Sequence, residues 1–193
     1  MTETVHPFPE RSRDVSAVRR VVAGVSGSPG SLQALRFAVD VGRTTGAWVT
    51  PVLAWLPPGG DFADRRHPSA YLRQIWKEDA WQRLWRAIDM GIGGVPADIP
   101  FEPVVLRGET GAVLTGVACR SGDVLVIGAG RRGGPLRRLA AGHVSRYCLA
   151  HASCPVTAVP PSGLEAATHG IRGWALRHRG LTPQDADLHA ADA

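Results

Sequence analysis

The sequence predicts an α/β fold, a Rossmann-like three-layer α/β/α sandwich built around a five-stranded parallel sheet. Short runs of β-branched residues recur without apolar and polar alternation, which is typical of parallel strands buried on both faces. Stretches with apolar residues at helical spacing separate these runs, and such alternation implies right-handed crossovers that place helices on both sides of the sheet. A length of 193 residues suits one domain with short additions at its ends.

The first half of the core is predicted to run strand, helix, strand. A strand is predicted at 20–26, where β-branched residues are followed by glycine and serine. Ser28 before Pro29 favours a helix start, since serine caps free backbone N–H groups and proline suits the first turn. A second strand is predicted at 48–55, and the proline and glycine pairs of 57–60 end it.

The second half repeats the alternation after a longer connection, which is predicted at 59–68. A long helix follows, because its apolar residues fall three, four or eight positions apart. We expect the remaining elements in this order: a helix at 69–90, a strand at 101–106, a helix at 110–120, a strand at 123–128, a helix at 139–151 and a strand at 155–159. Ligands of such sheets bind at the carboxyl ends of the strands, where the strand order reverses.

The predicted domain covers residues 19–160. Residues 1–18 are polar and contain prolines, so we expect a flexible lead. Residues 161–193 are expected to form a mobile or loosely docked tail, with a short amphipathic helix at 171–179 as the alternative. A mean hydropathy of -0.05 and the absence of a long apolar run exclude a membrane span at this stage.

Cysteine content and the N-terminal residues favour a cytoplasmic protein. Cys119, Cys148 and Cys154 are too few for a disulfide framework, and their spacing suggests neither zinc nor a redox pair. The first residues lack the basic and apolar regions of a secretory signal. We therefore expect a reducing compartment.

Basic charge is concentrated in one segment. The formal net charge is +5, and between Asp123 and Glu165 the chain has five arginines and no acidic residue. These arginines account for the whole excess, so the rest of the chain is balanced. The distribution favours a small anionic ligand or an acidic partner over a broad nucleic-acid surface.

Tryptophans cluster on the long predicted helix. Trp76, Trp81 and Trp85 are interleaved with basic residues, but acidic residues among them neutralise much of the stretch. We expect this helix to pack on the sheet through its tryptophans, with Trp81 closing the ligand site or serving a partner.

Two loops could hold a ligand. The first, 25–31, combines small residues with a helix start, but it lacks the lysine of a P-loop, and a plain strand-to-helix turn is the alternative. The second combines the glycine- and arginine-rich segment 128–138 with a helix start at 142–145. Glycines, guanidinium groups and free helix N–H groups together can hold a phosphate, and a solvated basic loop is the alternative.

Both loops resemble those of the universal stress protein (UspA) family. Residues 20–35 are similar to its first strand and helix, while 123–134, 142–146 and 151–156 are similar to its other end. The wealth of arginine and tryptophan resembles actinobacterial single-domain members. The resemblance covers 19–160 and implies the adenine nucleotide alpha hydrolase-like fold and a non-catalytic stress-response protein.

The resemblance also implies a ligand and a partner. It implies a pocket at the ends of strands one and four for ATP or another adenine nucleotide, with magnesium only as a companion of that nucleotide. It implies a homodimer paired through residues 156–159, with no membrane and no nucleic-acid partner. The nucleotide-binding residues that it predicts are Val25, Ser26, Ala54, Ile127, Gly128, Gly130, Arg131, Gly133, Gly142, His143, Val144 and Ser145.

Three positions depart from the family pattern. Members that bind ATP usually have aspartate at the place of Ser26, glycine at Arg131 and a phosphate-binding hydroxyl at His143. A missing carboxylate removes a hydrogen-bond acceptor for adenosine, worth about 1–3 kcal/mol in a buried contact. The departures favour an alternative, a UspA-like dimeric scaffold that has lost nucleotide binding and binds an unidentified protein partner.

No enzymatic or metal site is predicted. ATP hydrolysis would need a metal-binding carboxylate near the phosphates, and Ser26 does not supply one. His143 is the only histidine in a candidate loop, and no second histidine or acidic residue lies at metal-ligand spacing.

Overall fold

Five parallel strands form one sheet in the computed structural model, which describes residues 18–129 and 143–160. The strands are β1 Arg20–Gly24, β2 Trp48–Trp55, β3 Val104–Arg107, β4 Asp123–Gly128 and β5 Val156–Val159. Their order across the sheet is β3-β2-β1-β4-β5, and all neighbours are parallel. The predicted five-stranded parallel sheet is confirmed.

Helices cover both faces of this sheet. The described helices are α1 Pro29–Thr45, α2 Gly60–Arg66, α3 Ala70–Ile92, α4 Thr110–Val117 and α5 His143–His151. Helices α1 and α3 pack on one face, and α4 and α5 pack on the other. In β1, Val21 and Ala23 belong to the α1/α3 core and Val22 to the α4/α5 core. Burial on both faces explains why the strand sequences show no polar alternation.

The first crossover helix begins where the sequence predicts it. The Ser28 hydroxyl accepts a hydrogen bond from the backbone N–H of Ser31 at 3.4 Å, and Pro29 stands in the first turn. The helix ends before Gly46, whose φ of 71° is a left-handed conformation that glycine adopts without strain. Local capping thus fixes both ends of α1.

Several element boundaries differ from the prediction. Strand β1 ends at Gly24, so Ser26 lies in the following turn rather than in a strand at 20–26. Strand β3 begins at Val104, because Pro103 interrupts the pairing that Phe101 starts as an isolated bridge with β2. Smaller shifts move the end of α3 to Ile92, the end of α4 to Val117 and the start of β5 to Val156.

The connection predicted at 59–68 contains the short helix α2, which the sequence pattern does not reveal. Gly59 precedes this helix with a φ of 78°, and no side chain caps it. Its aspartates Asp61 and Asp64 instead form ion pairs with Arg107 at the end of β3. A contact between distant parts of the chain therefore holds the helix.

Some predicted segments lie outside the described residues. They are the N-terminal lead up to residue 17, the tail 161–193 and the first part of the helix predicted at 139–151. The predicted domain boundaries therefore stay a prediction. Across residues 18–129 and 143–160, no helix is long and apolar enough to span a membrane.

An ion pair joins β1 to β4 at the start of both strands. Arg20 donates to Asp123 through Nε to Oδ1 at 3.0 Å and through Nη2 to Oδ2 at 2.7 Å. The Asp123 carboxylate also accepts the backbone N–H of Arg120, and Arg20 donates to the Val117 carbonyl oxygen. Burial raises the pKa of the Asp123 carboxyl, but these hydrogen bonds outweigh burial and hold that pKa below its ordinary value of 3.8.

Replacing this carboxylate is expected to destabilise the fold in a pH-dependent way. Asp123→Asn leaves Arg20 without its partner, so the free energy of unfolding at pH 7 should fall by about 3–5 kcal/mol. A carboxyl with a lowered folded-state pKa stabilises above its unfolded pKa, and this contribution is lost as the pH falls through the folded-state value. The difference between wild type and variant should therefore shrink below pH about 4 in urea titrations.

The matched control is Asp98→Asn, which removes an exposed carboxylate that pairs with Arg43 at 2.7 Å. Solvent screens this pair, so we expect little change in stability. Equal losses in the two variants would contradict a special role for the Arg20–Asp123 pair.

Candidate functional site

The strand order reverses between β1 and β4. The chain leaves β1 toward β2 and β3, then returns to place β4 on the other side of β1. In parallel sheets the resulting crevice opens at the carboxyl ends of the two strands. Helix α1 follows β1 at this edge, and α5 follows β4 along the chain, so both helices begin near the crevice.

Three serines form a hydroxyl cluster in the turn between β1 and α1. The hydroxyls of Ser26 and Ser28 are 3.0 Å apart, and the Ser26 hydroxyl donates to Ser31 Oγ at 3.3 Å. The backbone N–H of Ser26 also donates to Ser31 Oγ, which in turn donates to the Ser28 carbonyl oxygen at 2.8 Å. The cluster is neutral and largely satisfied by its own members.

The end of β4 touches the first turn of α1 at Gly128. A Cβ atom at Gly128 would lie 2.7 Å from the carbonyl carbon of Gly30, 2.8 Å from its oxygen and 3.0 Å from the nitrogen of Ser31. These neighbours are backbone atoms of a helix, so they cannot move aside cheaply. Close packing therefore requires glycine at 128, whatever role the residue has toward a ligand.

The predicted site residues of the strands lie on different faces of the sheet. By strand alternation Ala54 and Ile127 belong to the α4/α5 face, where Ile127 is buried and Ala54 half-buried. Val25 points to the opposite face and is buried in the α1/α3 core. Its backbone N–H is already donated to the Val52 carbonyl oxygen at 2.9 Å.

The start of α5 is joined to the end of β4. The Ser145 hydroxyl donates to the Gly128 carbonyl oxygen at 3.3 Å. Val144 packs against the α4/α5 core, while His143 is exposed. The structure thus brings Ser145 and Gly128 together, and Gly128 in turn contacts the first turn of α1.

Four of the predicted site residues, Gly130, Arg131, Gly133 and Gly142, lie outside the described residues. The predicted residues that are described carry no carboxylate, and two helix N-termini add partial positive charge at the same edge. In the described part of the chain, no group of three or more histidine, cysteine, aspartate or glutamate residues could hold a metal ion. This environment suits a phosphate better than a cation.

Sequence reasoning missed an ion network at the ends of β3 and α2. Arg107 Nη2 lies 2.6 Å from Asp61 Oδ1 and 2.8 Å from Asp64 Oδ2, and Arg73 Nε lies 3.4 Å from Asp64 Oδ1. Hydrogen bonding to Asp61 raises the pKa of Arg107. The network ties β3, α2 and the first turn of α3 together, and no spacing in the sequence signals it.

Two of the three tryptophans of α3 pack on the core as predicted, whereas Trp85 is exposed. Trp76 and Trp81 are partly buried against the α1/α3 core, and Trp81 stacks on Trp85 with ring centroids 6.1 Å apart.

On the other face of the sheet, Tyr147 of α5 covers Gly111 of α4. A Cβ atom at Gly111 would lie 2.5 Å from the Tyr147 ring.

Comparison with known proteins gives one family. Residues 17–160 match the model of the universal stress protein family. No curated protein is similar enough to count as a match.

Three solved structures share the fold at low sequence identity. The hypothetical protein MJ0577 is 13% identical with a TM-score of 0.59, covering 76% of this chain and 99% of its own. UspA from Lactobacillus plantarum is 18% identical with a TM-score of 0.51, covering 74% and 97%. A universal stress protein from Archaeoglobus fulgidus is 23% identical with a TM-score of 0.50, covering 73% and 97%. At these identities the likeness shows the α/β fold.

The contact at Gly128 can be tested by adding one methyl group. Gly128→Ala forces the end of β4 away from the backbone of Gly30, and overpacking of this kind costs about 1–3 kcal/mol of unfolding free energy. Gly116→Ala is the control, because a Cβ there meets no atom within 4 Å. In helix α4 that change should stabilise by up to about 1 kcal/mol. Effects of the same sign and size in thermal unfolding would contradict the packing role.

Proposed function

The chain belongs to the universal stress protein family, and on that premise we propose that it is a non-catalytic stress-response module that binds an adenine nucleotide at the carboxyl ends of β1 and β4. The supporting observation is the meeting of three parts at one edge. The first turn of α1 touches Gly128, the start of α5 is joined to Gly128 through Ser145, and none of the described site residues is a carboxylate.

In this proposal the phosphates lie toward the start of α5. The segment that contains Gly130, Arg131, Gly133 and Gly142 supplies backbone N–H groups and a guanidinium group, and Ser145 supplies a hydroxyl. Arginine offers bidentate, charge-assisted hydrogen bonds to phosphate oxygens. Between Asp123 and Glu165 the chain has no acidic residue that would repel the ligand.

The adenosine part lies toward β1 and β2 in the same proposal. Ala54 offers its backbone and Ile127 an apolar surface, while Ser26 faces the ribose with a neutral hydroxyl. A hydroxyl is a weaker partner for ribose than a carboxylate, so phosphate contacts carry a larger share of the binding energy.

A second candidate function is a scaffold that no longer binds nucleotide. The serine cluster favours it, because Ser26, Ser28 and Ser31 already satisfy one another. The Ser145 hydroxyl is likewise occupied by the Gly128 carbonyl oxygen. A ligand would have to displace these hydrogen bonds, whereas a partner-binding scaffold would leave them intact.

Titration calorimetry with ATP, AMP and cyclic AMP separates the two candidates. We expect micromolar binding of at least one nucleotide, abolished by Arg131→Ala or Gly142→Asp and unchanged by Arg43→Ala, which removes an exposed guanidinium paired with Asp98. Ser26→Asp adds a hydrogen-bond acceptor for the ribose and should tighten nucleotide binding by about fivefold to a hundredfold. It should not tighten the binding of inorganic phosphate. Absence of binding to all nucleotides at millimolar concentration would leave the scaffold function.

We also infer that the protein forms a homodimer through β5. In the described residues β5 is an outer strand of the sheet. The carbonyl oxygen of Pro155 accepts a hydrogen bond from Leu125 of β4, and that of Val159 accepts one from Ala129, directly after β4. Because backbone groups alternate along a strand, those of Val156 and Ala158 point away from β4 and are available to a second sheet.

Proline at an outward position tests this pairing. Ala158→Pro removes one outward N–H but no hydrogen bond to β4, so the dimer dissociation constant should rise at least about tenfold, as for the loss of 1.4 kcal/mol. Ala158→Val keeps the N–H group and is the control. Sedimentation velocity over a concentration series measures both. A monomeric wild type, or equal dimerisation of the two variants, would contradict the inference.

A further inference from the structure

The first half of α3 is loosely packed on the core, against which Trp76 is partly buried. None of the residues from 70 to 79 is buried, whereas Ala80, Leu84 and Ile88 in the second half are. The exposed half nevertheless carries apolar side chains, since Tyr71 is 75% exposed and Ile75 is 43% exposed. Isolated helical turns of this length are marginally stable, so exposed apolar residues here point to something that covers them.

These side chains line one groove. The groove has a volume of about 430 Å³ and is lined, within the described part of the chain, by Tyr71, Gln74, Ile75, Glu78, Asp79 and Gln82. The lining residues fall at i, i+3, i+4 and i+7, which is the spacing of a single stripe along a helix. Two of the six are acidic and none is basic. An occupant should therefore combine apolar and basic side chains.

We infer that the α3 groove binds the C-terminal segment 171–179 of the same chain. This segment reads IRGWALRHR: it has three arginines, no acidic residue, and the apolar residues Ile171, Trp174 and Leu176. Its charge and its tryptophan complement the groove. The inference does not depend on nucleotide binding.

The segment is long enough to reach. Arg73 in α3 is linked through Asp64 to Arg107 at the end of β3, which places the start of α3 at the carboxyl edge of the sheet. Strand β5 ends at Val159 on the same edge, four strand spacings from β3, or about 19 Å at about 4.8 Å each. Residues 161–170 can span up to about 35 Å.

A second copy of the chain is a poorer occupant. Pairing about a twofold axis at the groove would bring the same acidic residues, Glu78 and Asp79, of both chains together. Asp79 is partly neutralised by Arg83 at 3.0 Å, but Glu78 is bonded only to the neutral Gln74 among the contacts described. Like charges at the centre of an interface oppose association.

Photo-cross-linking of the full chain tests the inference. Trp174 is replaced by p-benzoylphenylalanine, the protein is irradiated, and the linked residues are mapped by mass spectrometry. We expect cross-links within residues 71–82. In an equal mixture of ¹⁴N- and ¹⁵N-labelled protein, they should join segments of the same isotope. Glu78→Lys should lower the yield at least fivefold, while Asp89→Lys, at the far exposed end of α3, should leave it unchanged.

Three results would overturn the inference. They are cross-links to other parts of the chain, mixed-isotope cross-links that identify a second copy, and equal yields in the Glu78 and Asp89 variants. Because Glu78 and Asp89 are both exposed, both variants should fold, and circular dichroism checks this before irradiation.

Discussion

The close approach of β4 to the first turn of α1 is the constraint on which the site depends. With no Cβ at Gly128, the end of the strand meets the backbone of Gly30 and Ser31 directly. This contact holds the first turn of α1 beside the carboxyl end of β4. A larger residue would push the end of β4 away from the first turn of α1, at the point where the strand order reverses.

The opposite ends of the same strands are held by polar forces. Arg20 and Asp123 are register partners, and their two hydrogen bonds are reinforced by the backbone of Arg120. Strands β1 and β4 are therefore joined by an ion pair at one end, while at the other end close packing joins β4 to the first turn of α1. None of the described site residues is a carboxylate, while the acidic residue that stabilises the strand pair lies at the opposite edge.

Sequence reasoning recovers the elements that local chemistry determines. Strands β2 and β4 match their predicted bounds because burial on both faces leaves uninterrupted apolar runs, and α1 begins at the cap that Ser28 supplies. The sequence pattern does not predict helix α2, because the helix is held by the pairing of Asp64 with Arg107, more than forty residues away. In the site, the hydroxyl cluster and the Ser145–Gly128 bond depend on side-chain directions that spacing does not encode. Arg131 lies outside the described residues, so its role stays a prediction.

Helix α3 illustrates how one continuous element can contain two units of different stability. From Ala80 onward its residues are locked into the α1/α3 core, so their backbone amides should open only when the whole domain unfolds. The turns before Ala80 have no buried residue, and they can open locally while the sheet stays intact. The protection of backbone amides against hydrogen exchange should therefore rise along α3 near Ala80. The size of that rise depends on what covers the first turns of the helix.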